Sequence, residues 1–380
     1  MHEQTKTVTL YAAGEVCVNR EKPESIVESV IPSFAKADIR FFQLETVYSD
    51  RGSPSAHEIN LRAHPRNVPA LKAIGFDVCS FASNHVLDYS NEGLFDTIET
   101  LTQNGIQVIG AGKNLIEARK PAIFERHGNR VAFLGYNSNL LQNYWATENK
   151  PGCVPLRVFT VYEGNYIHPG SSPTIHTFAD RRDLQPMLED IKKAKSLAHM
   201  VAVSMHWGLF IPPHALADYQ REVAHMAIDA GADVILGTGP HQIKPIEVYK
   251  GRVIFYSLGN FAFDFGRKSG IDLEAIVPNW KEIAKAHLGW DIDHEQHWLD
   301  NYVFPARSRK AIVAKSTIAE GEIREVSFLP VVINEFAQPR MLSQRDKEFQ
   351  EVSGYVQELC QAAGLDTRFT PGEDEVVIQT

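Results

Sequence analysis

The sequence predicts an α/β fold in which a mixed sheet, or two packed sheets, is flanked by helices. Three observations lead there. Short apolar, β-rich runs alternate with helical patterns through most of the first 260 residues, and two hairpins interrupt the alternation. The chain's 380 residues, 44% hydrophobic and 22% charged, are also enough to enclose a sizeable core.

In order along the chain, "TVTLYAA" (7–13), "IRFFQL" (39–44), "FDVCSFA" (76–82), "IQVIG" (106–110), "MVAVSM" (200–205) and "ADVILG" (232–237) read as buried strands. Between them, "NEGLFDTIETLTQNG" places Leu94, Ile98 and Leu101 on one helical face and stops at Gly105, a C-cap signal. "DRRDLQPMLEDIKKAKSL" repeats the pattern with Leu184, Leu188 and Ile191. The hairpins turn at His127-Gly128-Asn129 and at Lys250-Gly251. The aperiodic stretch 137–180 reads as a long loop over the domain, and 266–310 as a second irregular insertion. Residues 311–380 return to strand, loop and a last helix. The expectation is one domain over 1–380, with 311–380 as a C-terminal extension.

A net charge of -9 argues against a general nucleic-acid binder, which carries a basic surface. Cys17, Cys79, Cys153 and Cys360 form no CxxC pair, which suits a reducing compartment. The first 17 residues lack a basic flank and a long apolar run, so no signal peptide is expected. No stretch of about 18 apolar residues predicts a membrane span. A cytoplasmic protein without membrane or nucleic-acid partners is the default, with homo-oligomerisation left open.

The chemistry gathers where strands end. Past their apolar runs the strands deliver Glu15, then Gln43 and Glu45, then Asn84, His85 and Asp88, then His206, and then His241. In open α/β sheets that edge binds ligands. Each residue alone has an ordinary explanation: a satisfied polar group, a turn cap, an Asx turn. Five strands ending alike are harder to dismiss, and a mixed Glu, Asn and His set suits Mn, Fe or Zn rather than calcium. "DIDHEQHW", with Asp291, Asp293, His294 and His297, is a weaker metal candidate and reads better as a solvated acidic loop.

"GEVCVNR", "QLET", "LKAIGFDVCSFASNHVLDYSNEGL", "GIQVIGAGKN", "VSMHWG" and "AGADVILGTGPHQIKPIEVYKGRVIFYSLGNFAFD" span residues 8 to 264 almost without a gap. In these motifs the chain resembles the CapA-type poly-γ-glutamate capsule synthesis family, a branch of the calcineurin-like metallophosphoesterases. The resemblance implies a four-layer αββα sandwich of two mixed sheets. It also implies a centre of one or two divalent metal ions with Glu45 as bridging carboxylate and Glu15, Asn84, His206 and His241 as further ligands. His85 falls on a proton-donor position, with Asp88 placed to orient it. Trp207, Ser257 and Asn260 are expected to line the pocket, the last two alternatively shaping the turn in "YSLGNF".

The departures are specific. Glu15 stands where the family usually has Asp, Gln43 where it has Asn, and Thr238 and Gly239 where it has imidazoles in a Gly-His-His-Pro-His run. A second ion would therefore lack a ligand. Gly239→His would rebuild it, unless residue 239 sits at positive φ. Cys17 occupies a ligand position of the wider superfamily but reads as a buried, non-ligand thiol. The expected activity is metal-assisted hydrolysis of a small-molecule ester, amide or phosphoester. The rival is a non-catalytic component of poly-γ-glutamate-type polymer biosynthesis.

Overall fold

In the computed structural model, which describes residues 7–56, 59–164, 168, 170–292 and 295–380, the strand read over 7–13 runs on to Cys17. Gly14 and Glu15 thus lie inside the sheet rather than beyond it. A β-carbon at Gly14 would sit 1.9 Å from the Gly259 carbonyl oxygen, so only glycine lets the strand Asn260–Phe263 approach alongside. The pairing with Ile39–Leu44 shifts register between Ala12 and Glu15, the kind of irregularity that re-aims a side chain. Gly14→Ala is expected to destabilise the protein by at least about 1–3 kcal/mol, the range for overpacking. An unchanged urea midpoint would show that the two strand ends are not this close.

Two mixed sheets form the centre. The larger, of 10 strands, includes Val8–Cys17, Ile39–Leu44, Val78–Ser80 and Gln107–Ile109 in parallel, with Lys310–Ala319 antiparallel on the other side of Val8–Cys17. The smaller, of 6 strands, runs Ile246–Tyr249, Arg252–Phe255, Val234–Thr238, Met200–His206, Asn129–Asn137 and Ala122–Arg126. Both predicted hairpins are present. Period-2 alternation sorts each strand between two cores. Met200 and Ala202 point between the sheets, whereas Val201, Val203, Met205 and Trp207 point at the helices Arg181–Leu197 and Asp218–Asp229. Phe41 and Phe133 stack across the inter-sheet space, with centroids 5.9 Å apart and planes 4° off parallel. On the outer face of the large sheet, Val68–Ile74 and Ser90–Gln103 bury Leu71, Ile74, Leu94 and Leu101. The result is helix, sheet, sheet, helix, the four layers expected.

The insertions have more structure than their sequences show. Within 137–180, Val158–Glu163 and Thr174–Ala179 form an exposed antiparallel ribbon, invisible to a reading that looks for a buried face. Within 266–310, the described residues include short helical turns, and Trp280, Trp290, Tyr302 and Phe304 are buried against the large-sheet core. Of the "DIDHEQHW" candidate, Asp293 and His294 lie outside the described residues, Asp291 is exposed, and His297 contacts Glu295 at 3.5 Å. The last segment is a long hairpin, Lys310–Ala319 and Glu322–Ile333, followed by the helix Lys347–Ala362, which closes the edge of the inter-sheet core with Phe349, Val352 and Val356. Among the described residues no helix is long and apolar enough to cross a membrane.

Candidate metal centre

Both sheets end at one edge, and there two carboxylates are fully buried. Glu15 projects from the irregular end of Val8–Cys17, and Glu45 directly follows Ile39–Leu44. His206 closes Met200–His206 on the inter-sheet face, as its parity with Met200 and Ala202 dictates. One ligand-capable atom from each of Glu15, Glu45 and His206 lies within 4.8 Å of the others. His206 Nδ1 is 3.0 Å from Glu45 Oε1, and its Nε2 is 2.9 Å from Asn84 Oδ1. His241 Nδ1 contacts Glu15 and lies 2.9 Å from Asn260 Oδ1. The five residues expected as ligands thus converge from separate chain segments.

The donor count is what makes this a candidate metal site. Glu15 Oε2 and Glu45 Oε1 are buried and accept no well-aligned hydrogen bond. Such oxygens are costly unless something positive meets them. Around them stand the Asn84 amide oxygen and the His206 and His241 imidazoles, His241 against Glu15. These residues fit a divalent transition metal. Electrostatics agrees at His206, whereas His241 would give up a proton to ligate. Burial lowers the His206 pKa despite Glu45 and Glu15, keeping the imidazole neutral, the form that ligates. Burial alone would raise Glu15, but the facing His241 more than offsets it and holds the carboxyl below its usual range. Burial likewise opposes the His241 imidazolium, and Glu15 outweighs it, pushing His241 up to about 9.

The turn after Val78–Ser80 carries the second constellation. Ser83 Oγ donates to Glu45 Oε2 at 2.5 Å and accepts the His85 backbone N–H at 3.0 Å, so one hydroxyl ties the carboxylate to the histidine turn. His85 Nδ1 meets Asp88 Oδ2 at 2.6 Å, and Asp88 also accepts from the Leu61 N–H at 2.6 Å and from the Tyr144 hydroxyl at 3.1 Å. Burial disfavours the His85 imidazolium, but the charge and hydrogen bond of Asp88 prevail and raise its pKa.

Two of the expected pocket residues are placed elsewhere. Trp207 follows His206 by one position, and the strand's alternation turns it to the helix side. It is fully buried there, stacked on Tyr256 and donating its indole N–H to the Tyr256 carbonyl at 3.0 Å. Ser257 is also fully buried, its Oγ accepting the Gly259 N–H at 3.2 Å, which is the turn-shaping alternative. Asn260 does stand at the centre, holding His241 and donating to the Tyr302 hydroxyl at 2.8 Å. Gln43 lies between the sheets, accepting from Ser204 at 3.4 Å. The Cys17 thiol is buried and its pKa is raised by that burial, in keeping with a non-ligand thiol.

Reading the sequence alone missed Tyr144, Tyr302 and Phe210. Phe210 stacks on His241 with centroids 6.3 Å apart, and Phe304 and Trp290 complete an aromatic wall around that imidazole. All lie in aperiodic segments, and their only signal was aromatic density in long loops. Gly239 settles the fate of its missing imidazole. It sits at φ +112°, its N–H donates to Glu15, and a β-carbon would lie 2.8 Å from the Trp207 carbonyl oxygen. Gly239→His is therefore expected to lower stability without raising metal content. A folded variant with a second equivalent of metal would contradict this.

Comparison with known proteins agrees with the motifs. The family described as "Bacterial capsule synthesis protein PGA_cap" matches residues 4–265. The chain belongs to this family, which is part of the metallophosphoesterase-like superfamily. Relatives of this PGA_cap chain include "PGA biosynthesis protein CapA" of Bacillus subtilis, 32% identical over 66% of this chain and 60% of the relative. "Capsule biosynthesis protein CapA" of Bacillus anthracis is 28% identical over 70% of this chain and 62% of the relative. A "Probable polyglutamine synthesis accessory protein" of Mycobacterium tuberculosis is 32% identical over 60% and 56%. The matches thus span about 56–62% of the length of these relatives.

Proposed function

We propose that this PGA_cap chain is a metal-dependent hydrolase of a small-molecule ester, amide or phosphoester. The observation that carries the reading is the pair of buried carboxylate oxygens without an aligned hydrogen-bond donor, Glu45 Oε1 facing neutral His206 and Glu15 Oε2 against His241. Glu15, Glu45, Asn84, His206 and His241 would hold the ion. A divalent Mn, Fe or Zn ion bound there supplies Lewis-acid activation of water and neutralises developing negative charge.

The remaining chemistry belongs to the chain's own groups. Asp88 accepts the Nδ1 proton of His85 and fixes the tautomer, so that Nε2 is the atom that exchanges a proton with substrate. The Asp88 charge raises the His85 pKa against burial and so favours the imidazolium, the state needed to donate to a leaving group. Ser83 locks the spacing between Glu45 and His85. The aromatic wall of Phe210, Trp290 and Phe304 shields His241 and limits water access on that side.

Two observations favour a second reading, that the chain is a non-catalytic accessory component of polymer synthesis: the accessory role in the name of the mycobacterial relative, and the glycine that has replaced an imidazole at position 239. One experiment separates the two. Metal-reconstituted protein is assayed on phosphomonoesters, phosphodiesters and cyclic or γ-linked amides, with and without chelator. The hydrolase reading expects chelator-sensitive turnover of at least one class. Full metal content with no turnover across the panel favours the accessory role.

A further inference from the structure

Beyond the metal centre, Lys244 stands out. Its side chain is fully buried, and among the described residues its Nζ donates to one oxygen, the Pro212 carbonyl, at 3.0 Å. Among the described residues no carboxylate lies within ion-pair distance of it. The charged group that acts on Lys244 is another cation, Arg307, and burial first and Arg307 second lower the lysine to about 7. Arg307 is no better compensated. Its Nε donates to Gln242 Oε1 at 2.5 Å and its Nη2 to the Leu288 carbonyl at 3.4 Å, both neutral oxygens. From the helix Lys347–Ala362, Tyr355 adds a hydroxyl that is buried with no hydrogen-bond partner and that feels the Arg307 charge. Lys310 Nζ lies 4.7 Å from the same Tyr355 ring. The cluster is the inverse of the metal centre: cationic groups and N–H or O–H donors, with no carboxylate paired to Lys244 or Arg307 among the described residues; Glu358, on the helix of Tyr355, acts on the tyrosine. Burial without a counter-charge disfavours the ammonium form of Lys244, and an oxyanion would supply that counter-charge. Arg307, tied through Gln242 to the same 210–212 and 242–244 segments that hold Lys244, adds the planar donor fork suited to carboxylate and phosphate oxygens.

We propose that Lys244, Arg307 and the Tyr355 hydroxyl form a second, metal-independent site that takes an oxyanion group, a carboxylate or a phosphate. The site adjoins the metal centre. Gln242, which Arg307 holds, donates to the Phe210 carbonyl, and the Phe210 ring stacks on His241. An anion seated there would brace the wall beside His241. The proposal does not depend on hydrolase activity.

The test is calorimetric titration of inorganic phosphate and of glutarate into the chelator-treated full chain, in the parent and in Lys244→Met, Arg307→Gln and Glu45→Ala. The parent is expected to bind at least one probe at one per chain. Phosphate alone would mark a phosphate-bearing ligand, and glutarate alone a carboxylate-bearing one. Lys244→Met and Arg307→Gln should each weaken binding about 10-fold or more, as loss of a charged hydrogen bond does, while Glu45→Ala leaves it unchanged. Without anion, Lys244→Met should unfold no earlier than the parent, because it removes an uncompensated buried charge. Should Lys244→Met fail to fold, the partly exposed Arg307 decides. No binding of either probe to the parent would overturn the site. So would binding undiminished in a folded variant of the cluster, or binding lost only with Glu45.

Discussion

Glu45→Ala is expected to lose the metal and, with it, turnover, while both sheets remain folded. Glu45 is the residue through which the two halves of the site communicate: Oε1 faces His206 at 3.0 Å and Oε2 receives the Ser83 hydroxyl at 2.5 Å. Loss of an outer-shell partner of a metal ligand costs about 10–100-fold in affinity, so removal of a ligand itself should exceed about 100-fold. The sheets do not depend on it, because their packing comes from the inter-sheet core of residues such as Phe41, Phe133 and Phe255. Glu45→Gln is a useful companion, since it keeps the volume and removes the charge. Metal content measured on protein purified without chelator checks both variants. A Glu45→Ala protein with full metal content would reduce Glu45 to an acceptor for Ser83.

His85→Asn should give the opposite separation, with metal retained and turnover lowered about 10²–10⁴-fold, the usual contribution of a general acid. Two further readouts distinguish donation of a proton from mere structural support. The deficit should shrink for substrates with good leaving groups. In the parent, activity should fall on the alkaline side as pH rises through the raised His85 pKa, because the donating form is the imidazolium. Asp88→Asn should shift that limb to lower pH, since the Asp88 charge is what raises the pKa against burial. An equal loss across leaving groups, with an unmoved alkaline limb, would remove His85 from the acid role.

Much of this site was legible in the sequence because strand ends are. The apolar runs before Glu45, Asn84 and His206 fix where each strand stops, and parallel strands that stop together bring their next residues to one edge. Glu15 was harder, since its strand continues past the apolar run, and only the close approach of Gly14 to Gly259 shows why. Trp207 was misplaced for a simple physical reason. Adjacency to His206 in sequence means the opposite face in a strand, and the reading followed the motif rather than the period of 2. The aromatic wall could not be read, because Phe210, Trp290 and Phe304 reach His241 from segments with no periodicity. Lys244 carries no sequence signal of its own: nothing in its neighbours along the chain shows that it is buried.

The central claim is that the Glu15, Glu45 and His206 cradle holds a divalent transition metal, and titration of chelator-treated protein with Mn²⁺, Fe²⁺ and Zn²⁺ tests it most directly. The account predicts about one firmly held ion per chain. Its binding should raise unfolding stability by about 2.7 kcal/mol when the free metal is at 100 times Kd, and Glu45→Ala should abolish that gain. Absence of stoichiometric binding by any of the three ions, or equal stabilisation of the parent and Glu45→Ala, would contradict it.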